Sequence, residues 1–149
     1  MKTLIREWKV FLAEDKPVYS GILKLNLSRI VKSELEAMQI MLPEEATHIS
    51  KEDLHVTLVH QSILKPFEDK IKEIELPTPP PVILEDDVWE RTSPGKKSWA
   101  VRLSNQKEMK EYVSQVMDLL GSQNNNPEPE RIFHVSIANL TGNPRDSVR

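Results

Sequence analysis

Apolar and polar residues alternate through "VYSGILKLNLS", where Leu23, Leu25 and Leu27 are separated by Lys24 and Asn26. A period of two is that of a β-strand with one face buried and the other wet. The period changes at Ser28. From there "SRIVKSELEAMQIML" sets Ile30, Leu35, Met38 and Leu42 near one helical face, with Ser28 as a residue that caps a helix start and Pro43 as its stop. "LHVTLVH", Leu54 to His60, then returns to the strand period. Ahead of all this, Leu4, Ile5, Trp8, Phe11 and Leu12 stand at helical spacing and predict a short amphipathic helix docked on the core.

Midway, "LPTPPP" packs four prolines into the five positions from Pro77 to Pro81, a run that forms only an extended connector. Two strand-like runs follow, "VILEDDVW" and "SWAVRLS", separated by the turn-rich "TSPGKK". Ser104 or Asn105 can cap a helix through "QKEMKEYVSQVMDLL", which Gly121 closes. The polar loop "SQNNNPEPE" leads to a last strand, "RIFHVSIANL".

The two halves therefore share an order: strand, Leu-Ser, helix, loop, and a strand bearing a histidine. Leu27-Ser28 precedes His55 as Leu103-Ser104 precedes His134, with the histidine 27 and 30 residues after the serine. The repeat is weak in residues and clear in pattern. Its boundaries predict one domain over 1–149, with one lobe at about 18–64 and the other at about 82–140.

A chain of 149 residues is one domain by length, long enough to bury about 68–70% of its unfolded surface in a single core. Without cysteine it has no disulfide, no thiolate nucleophile and no cysteine-rich zinc site, which suits a reducing cytosol. The opening "MKTLIREWKVFLAEDK" is charged throughout, unlike a signal peptide or a membrane span, so a cytoplasmic location is expected. A net charge of −3 and a pI of 5.8 disfavour a grip on long nucleic acid and suit a small anionic ligand. The sequence gives no sign of a protein partner.

Of the four histidines, His55 and His134 begin the two matching motifs, "HVT" and "HVS". In a strand, residues two apart share a face, so His55 and Thr57 project together while Val56 and Leu58 turn inward. His134 and Ser136 pair in the same way, with Val135 and Ile137 inward. If the halves pack about a pseudo-twofold axis, two imidazoles and two hydroxyls converge in one cleft. That set fits a phosphodiester: one imidazole takes a proton from the nucleophile, the other protonates the leaving oxygen, and the hydroxyls hold non-bridging oxygens. Histidine suits both roles because its ordinary pKa lies near 6.5. No cofactor or metal is required. A single H-x-[ST] is more often an ordinary strand histidine; the second copy at the matching place is what points to chemistry. A metal set of His55, His60 and Asp53 is disfavoured, because His55 and His60 are five apart and face opposite sides of a strand. His48 and His60 are read as surface or supporting residues.

At these positions the sequence resembles the two-histidine phosphoesterases over roughly residues 18–139. The resemblance implies an α+β fold of two pseudo-symmetric αβ lobes with antiparallel sheets around a central cleft, and makes His55, Thr57, His134 and Ser136 the catalytic positions. "HISKEDLHVTLVH" and "FHVSIANLTGNPRDSV" further resemble the anti-CBASS proteins of phages, which destroy cyclic oligonucleotide immune signals. That implies metal-independent opening of a 3′–5′ linkage in a cyclic di- or trinucleotide by the neighbouring 2′-hydroxyl, in the host cytoplasm. Aromatic residues grip the bases there, and Tyr19 and Trp99 are the candidates, with Trp89 a further one. For Trp99, strict alternation competes by grouping it with Val101 and Leu103 on a buried face. Two rival functions stand beside this one: an RNA-end 2′,3′-cyclic phosphodiesterase using the same four residues, and a non-enzymatic protein that sequesters a nucleotide.

Overall fold

The computed structural model describes residues 17–148, so the helix read from Leu4, Ile5, Trp8, Phe11 and Leu12 lies outside the described residues. Along the chain come β1 (Pro17–Tyr19), β2 (Leu23–Asn26), α1 (Arg29–Ile40), β3 (Thr47–His48), β4 (His55–Val59), α2 (Gln61–Leu64), α3 (Glu68–Glu73), β5 (Trp89–Ser93), β6 (Lys96–Arg102), α4 (Gln106–Leu119) and β7 (His134–Asn139). The result is a mixed fold of helices and an open antiparallel sheet, consistent with the α+β class. Among the described residues no helix is long and apolar enough to cross a membrane.

The residues cluster into two compact units, each assembled from segments of both halves of the chain rather than from one continuous half. The first holds 17–26, Thr57–Pro81 and Asn105–Ile132. Its strand order is β1-β2-β4. The run read as one strand, "VYSGILKLNLS", is in fact a hairpin: Pro17 faces Leu25 and Tyr19 faces Leu23, and the chain reverses at Gly21, whose φ of +91° a side chain would oppose. Leu23 and Leu25 are buried, as the alternation requires, and each contributes about 1.5–3 kcal/mol of hydrophobic stabilisation.

Helix α4 buries Met109, Tyr112, Val113, Val116 and Met117 in this unit. Past its end Gly121 takes φ +78°, its N–H donates to the Asp118 carbonyl and that of Ser122 to Met117. This double closure is the one glycine supports at a helix C-terminus. The proline connector is tied down by Tyr112, whose hydroxyl donates to the Pro77 carbonyl at 2.6 Å, and by Asn105, whose amide donates to the Pro81 carbonyl at 2.8 Å. Burial pushes the Tyr112 phenol up from 10.0 to about 12. The folded protein thus holds this proton more tightly than the unfolded chain, so the contribution is complete below pH 10 and is lost as pH climbs toward 12. Tyr112→Phe is expected to cost about 1 kcal/mol at neutral pH and to flatten the alkaline decline in stability, measured by urea titration at stepped pH.

The second unit holds Leu27–Val56, Val82–Ser104 and 133–148, with strand order β4-β7-β6-β5 and β3 also on β7. Ser28 caps α1 through its hydroxyl, which accepts the Val31 N–H at 3.3 Å. The buried stripe of α1 is not the expected Ile30, Leu35, Met38 and Leu42 but Val31, Leu35 and Gln39, with Ile30 exposed. A glutamine takes a core position because its amide meets two carbonyls there, those of Ile49 at 3.0 Å and Ile137 at 2.9 Å. The run "VILEDDVW" contributes only an isolated Leu84–Leu103 bridge, and the strand begins at its last residue, Trp89. Thr92, Ser93, Lys96 and Lys97 extend the β5–β6 ladder to either side of Pro94-Gly95, so the turn is shorter than "TSPGKK" suggested.

Candidate active site

Strand alternation and pairing decide which side chains meet. His55 and Thr57 are partly exposed on β4 while Val56 and Leu58 are buried; on β7, His134 and Ser136 are partly exposed while Val135 and Ile137 are buried. Within the second unit β4 and β7 run antiparallel with Val56 opposite Val135. One residue along, that register sets His55 opposite Ser136. His134 is then the diagonal neighbour of His55, a relation that brings the two Cβ atoms to somewhat under about 7–8 Å. Thr57 follows on the His55 face of β4, but the unit boundary falls between Val56 and Thr57, and its described carbonyl contact is with Arg131 Nη2 at 2.8 Å in the first unit.

The same face continues across β6 and β5. Ser136 faces Ala100 and His134 faces Arg102, while Ala100 in turn faces Trp89. A bulge makes this row possible: Trp99 pairs with Ala138 but Ala100 with Ser136, leaving Ile137 as the extra residue. Ala100 itself is fully buried. Trp89 meets the His134 ring edge-on, centroids 5.6 Å apart at 90°, and the Arg91 guanidinium lies 4.4 Å from the Trp89 ring centre. Arg102 approaches the same indole at 5.4 Å and is paired with Glu85 and Asp87.

Each imidazole has a described partner. His55 Nδ1 lies 2.7 Å from the Asp53 carbonyl; a carbonyl only accepts, so Nδ1 donates. His134 Nε2 lies 3.4 Å from Arg91 Nη1, which also donates to the Val148 carbonyl at 2.9 Å. Val148 is held by its N–H, which donates to Ser98 Oγ at 3.1 Å. The chain reaches that position because Asn139 folds it back, accepting the Thr141 and Gly142 N–H groups and donating to the Asn143 carbonyl and Ser147 Oγ. Partial burial pulls the Arg91 guanidinium below its ordinary value, yet an arginine keeps its charge near neutrality.

The other candidates fall elsewhere. Trp99 is 2% exposed beside Val101 and Leu103, so its ring offers no open face for a base; alternation, not the aromatic tally, describes it. Tyr19 is half-buried on β1 in the first unit. His48 is exposed on β3, and His60, just past β4, lies against Arg131 and Glu128. Among the described residues no group of three or more His, Cys, Asp or Glu side chains is placed to hold a metal. Sequence reasoning left Trp89 as a secondary candidate and missed Arg91. The signal was present, since W-x-R at a spacing of two puts both on one strand face, once the strand is started at Trp89. Compared with protein-family models, curated proteins and solved structures, the chain matches none.

Proposed function

We propose that the chain is a metal-independent phosphodiesterase of the two-histidine kind, opening 3′–5′ linkages of cyclic di- and trinucleotides as the phage anti-CBASS proteins do, with the two αβ lobes and host-cytoplasmic setting of that family. One observation carries the reading: within a single unit, antiparallel pairing of β4 and β7 turns His55, His134 and Ser136 to one face. In the proposed reaction one imidazole removes the proton of a ribose 2′-hydroxyl, the 2′-oxygen attacks phosphorus, and the other imidazole protonates the departing 5′-oxygen. Ser136, with Thr57 on the His55 face of β4, holds the non-bridging oxygens. Within the second unit Trp89 stacks a base in place of Trp99, and Tyr19 is a separate proposed base contact in the first unit. The rival RNA-end activity uses the same four residues, and the rival sequestering protein would need none of this acid–base chemistry.

Incubation with a cyclic dinucleotide, a cyclic trinucleotide and an RNA ending in a 2′,3′-cyclic phosphate, all in excess EDTA, separates these readings by product. Cleavage of the cyclic species is expected, with a bell-shaped rate whose limbs fall on either side of neutrality and belong to the histidine pair. Cleavage of the RNA end alone would favour the rival enzyme, and tight binding without cleavage the sequestering protein. Activity abolished by chelator and restored by zinc or manganese would defeat the metal-independent mechanism.

A further inference from the structure

The paired motifs treat the two histidines as equivalent, but their surroundings do not. His55 gives its Nδ1 proton to a backbone carbonyl, an arrangement open to both the neutral ring and the imidazolium. Two carboxylates stand in the turn before it, Glu52 and Asp53, both bonded to the Ser50 hydroxyl. Around His134 stand Arg91 from β5 and, at its partner position on β6, Arg102, which is paired with Glu85 and Asp87; His55 is diagonal to it on β4. A guanidinium has five donors and no acceptor. Its contact with His134 Nε2 is a hydrogen bond only when that nitrogen carries a lone pair, which places the ring proton on Nδ1.

We infer that Arg91 is a positioning residue that fixes His134 in the Nδ1–H tautomer, making His134 the general base and His55 the general acid of the proposed reaction. The inference rests on that reaction for the two roles, and on the structure alone for the tautomer. Arg91 is itself held in place, because it is stacked on Trp89 and splits the two hydrogens of one amino group between the Val148 carbonyl and His134. At 3.4 Å the bond to Nε2 is long, so a ribose hydroxyl can replace it. The steps then balance. The 2′-hydroxyl proton passes to His134 Nε2 as the 2′-oxygen–phosphorus bond forms, the bond from phosphorus to the 5′-oxygen breaks, and His55 Nε2 delivers its proton to that oxygen. The displaced Arg91 N–H is left beside the non-bridging oxygens.

Three measurements test this. Nitrogen-15 NMR of the unliganded protein above neutrality is expected to show neutral His134 protonated at Nδ1, and Arg91→Met is expected to shift it toward the Nε2–H form that free imidazole favours. Neutral His134 protonated at Nε2 in the wild type would overturn the inference, whatever the protein does to nucleotides. The roles are read with a linear dinucleotide whose 5′-bridging oxygen is replaced by sulfur, since a thiolate leaves without a proton. On the oxygen substrate both His55→Ala and His134→Ala lose about 10²–10⁴-fold. On the sulfur substrate His55→Ala is expected to come within about tenfold of wild type, while His134→Ala stays impaired. In Arg91→Met the acid limb of the kcat/KM profile is expected to move to higher pH, because a cation beside His134 is removed. Rescue of His134→Ala in place of His55→Ala would reverse the assignment and leave the two-histidine reading standing; no loss in either variant on either substrate would sink both.

Discussion

Alanine at His55 or at His134 is expected to lower turnover of a cyclic di- or trinucleotide by about 10²–10⁴-fold, because each change deletes one proton-transfer group and leaves the rest of the face in place. Both rings are partly exposed, and neither fills the core, so the variants should melt close to the wild type. Ligand affinity should survive. The double variant His55→Ala with His134→Ala is then the informative protein: a binder that does not turn over, titrated with radiolabelled cyclic nucleotide. Ser136→Ala and Thr57→Ala should cost less, about 1.5–3 kcal/mol of transition-state stabilisation each, since each removes a single hydrogen bond to a charged oxygen. A folded double variant with wild-type turnover would show that the chemistry lies elsewhere.

The second large effect concerns stability. Trp99→Ala is expected to cost about 3–5 kcal/mol in a denaturant titration, a large share of the roughly 5–15 kcal/mol that holds a typical domain together. Trp99 is among the largest fully enclosed side chains and lies under Lys97, whose amino group is 5.2 Å from the ring centre. Trp89→Ala should behave in the opposite way: a modest loss of stability and, if a base stacks there, weaker ligand binding by about 1–3 kcal/mol per base. Equal and small stability losses at both tryptophans would contradict the packing described above.

What could be read from the sequence was whatever depends on neighbours in the chain. Ser28 caps its helix, Gly121 closes another, and the alternation around His55 and His134 sorts inward from outward residues, because all of these follow from local backbone geometry. What could not be read depends on distant partners. Gln39 stands off the apolar face that the spacing predicts for this helix, and its place in the core depends on the carbonyls of Ile49 and Ile137. Arg91 acquires its meaning from Val148, 57 residues on, and from a bulge on β7 that periodicity cannot register. The hairpin at Gly21 was hidden for another reason: the alternation on either side of it is the same whether the chain continues or reverses.

The bulge has a consequence for how the fold tolerates error. A strand that slips by one residue exposes what it should bury, and on β7 such a slip would drive His134 and Ser136 into the interior and Val135 and Ile137 out to water. Gln39 opposes it from inside the core, for its amide grips the carbonyl of Ile137, the very residue left over by the bulge, and that carbonyl also takes the Ile49 N–H at 2.9 Å. Replacing Gln39 with leucine, the swap that a hydrophobicity rule would recommend, would strip that carbonyl of one of its two donors and unlatch the registration mark of the strand bearing His134 and Ser136. A core redesigned for greasiness alone would then trade chemical alignment for bulk.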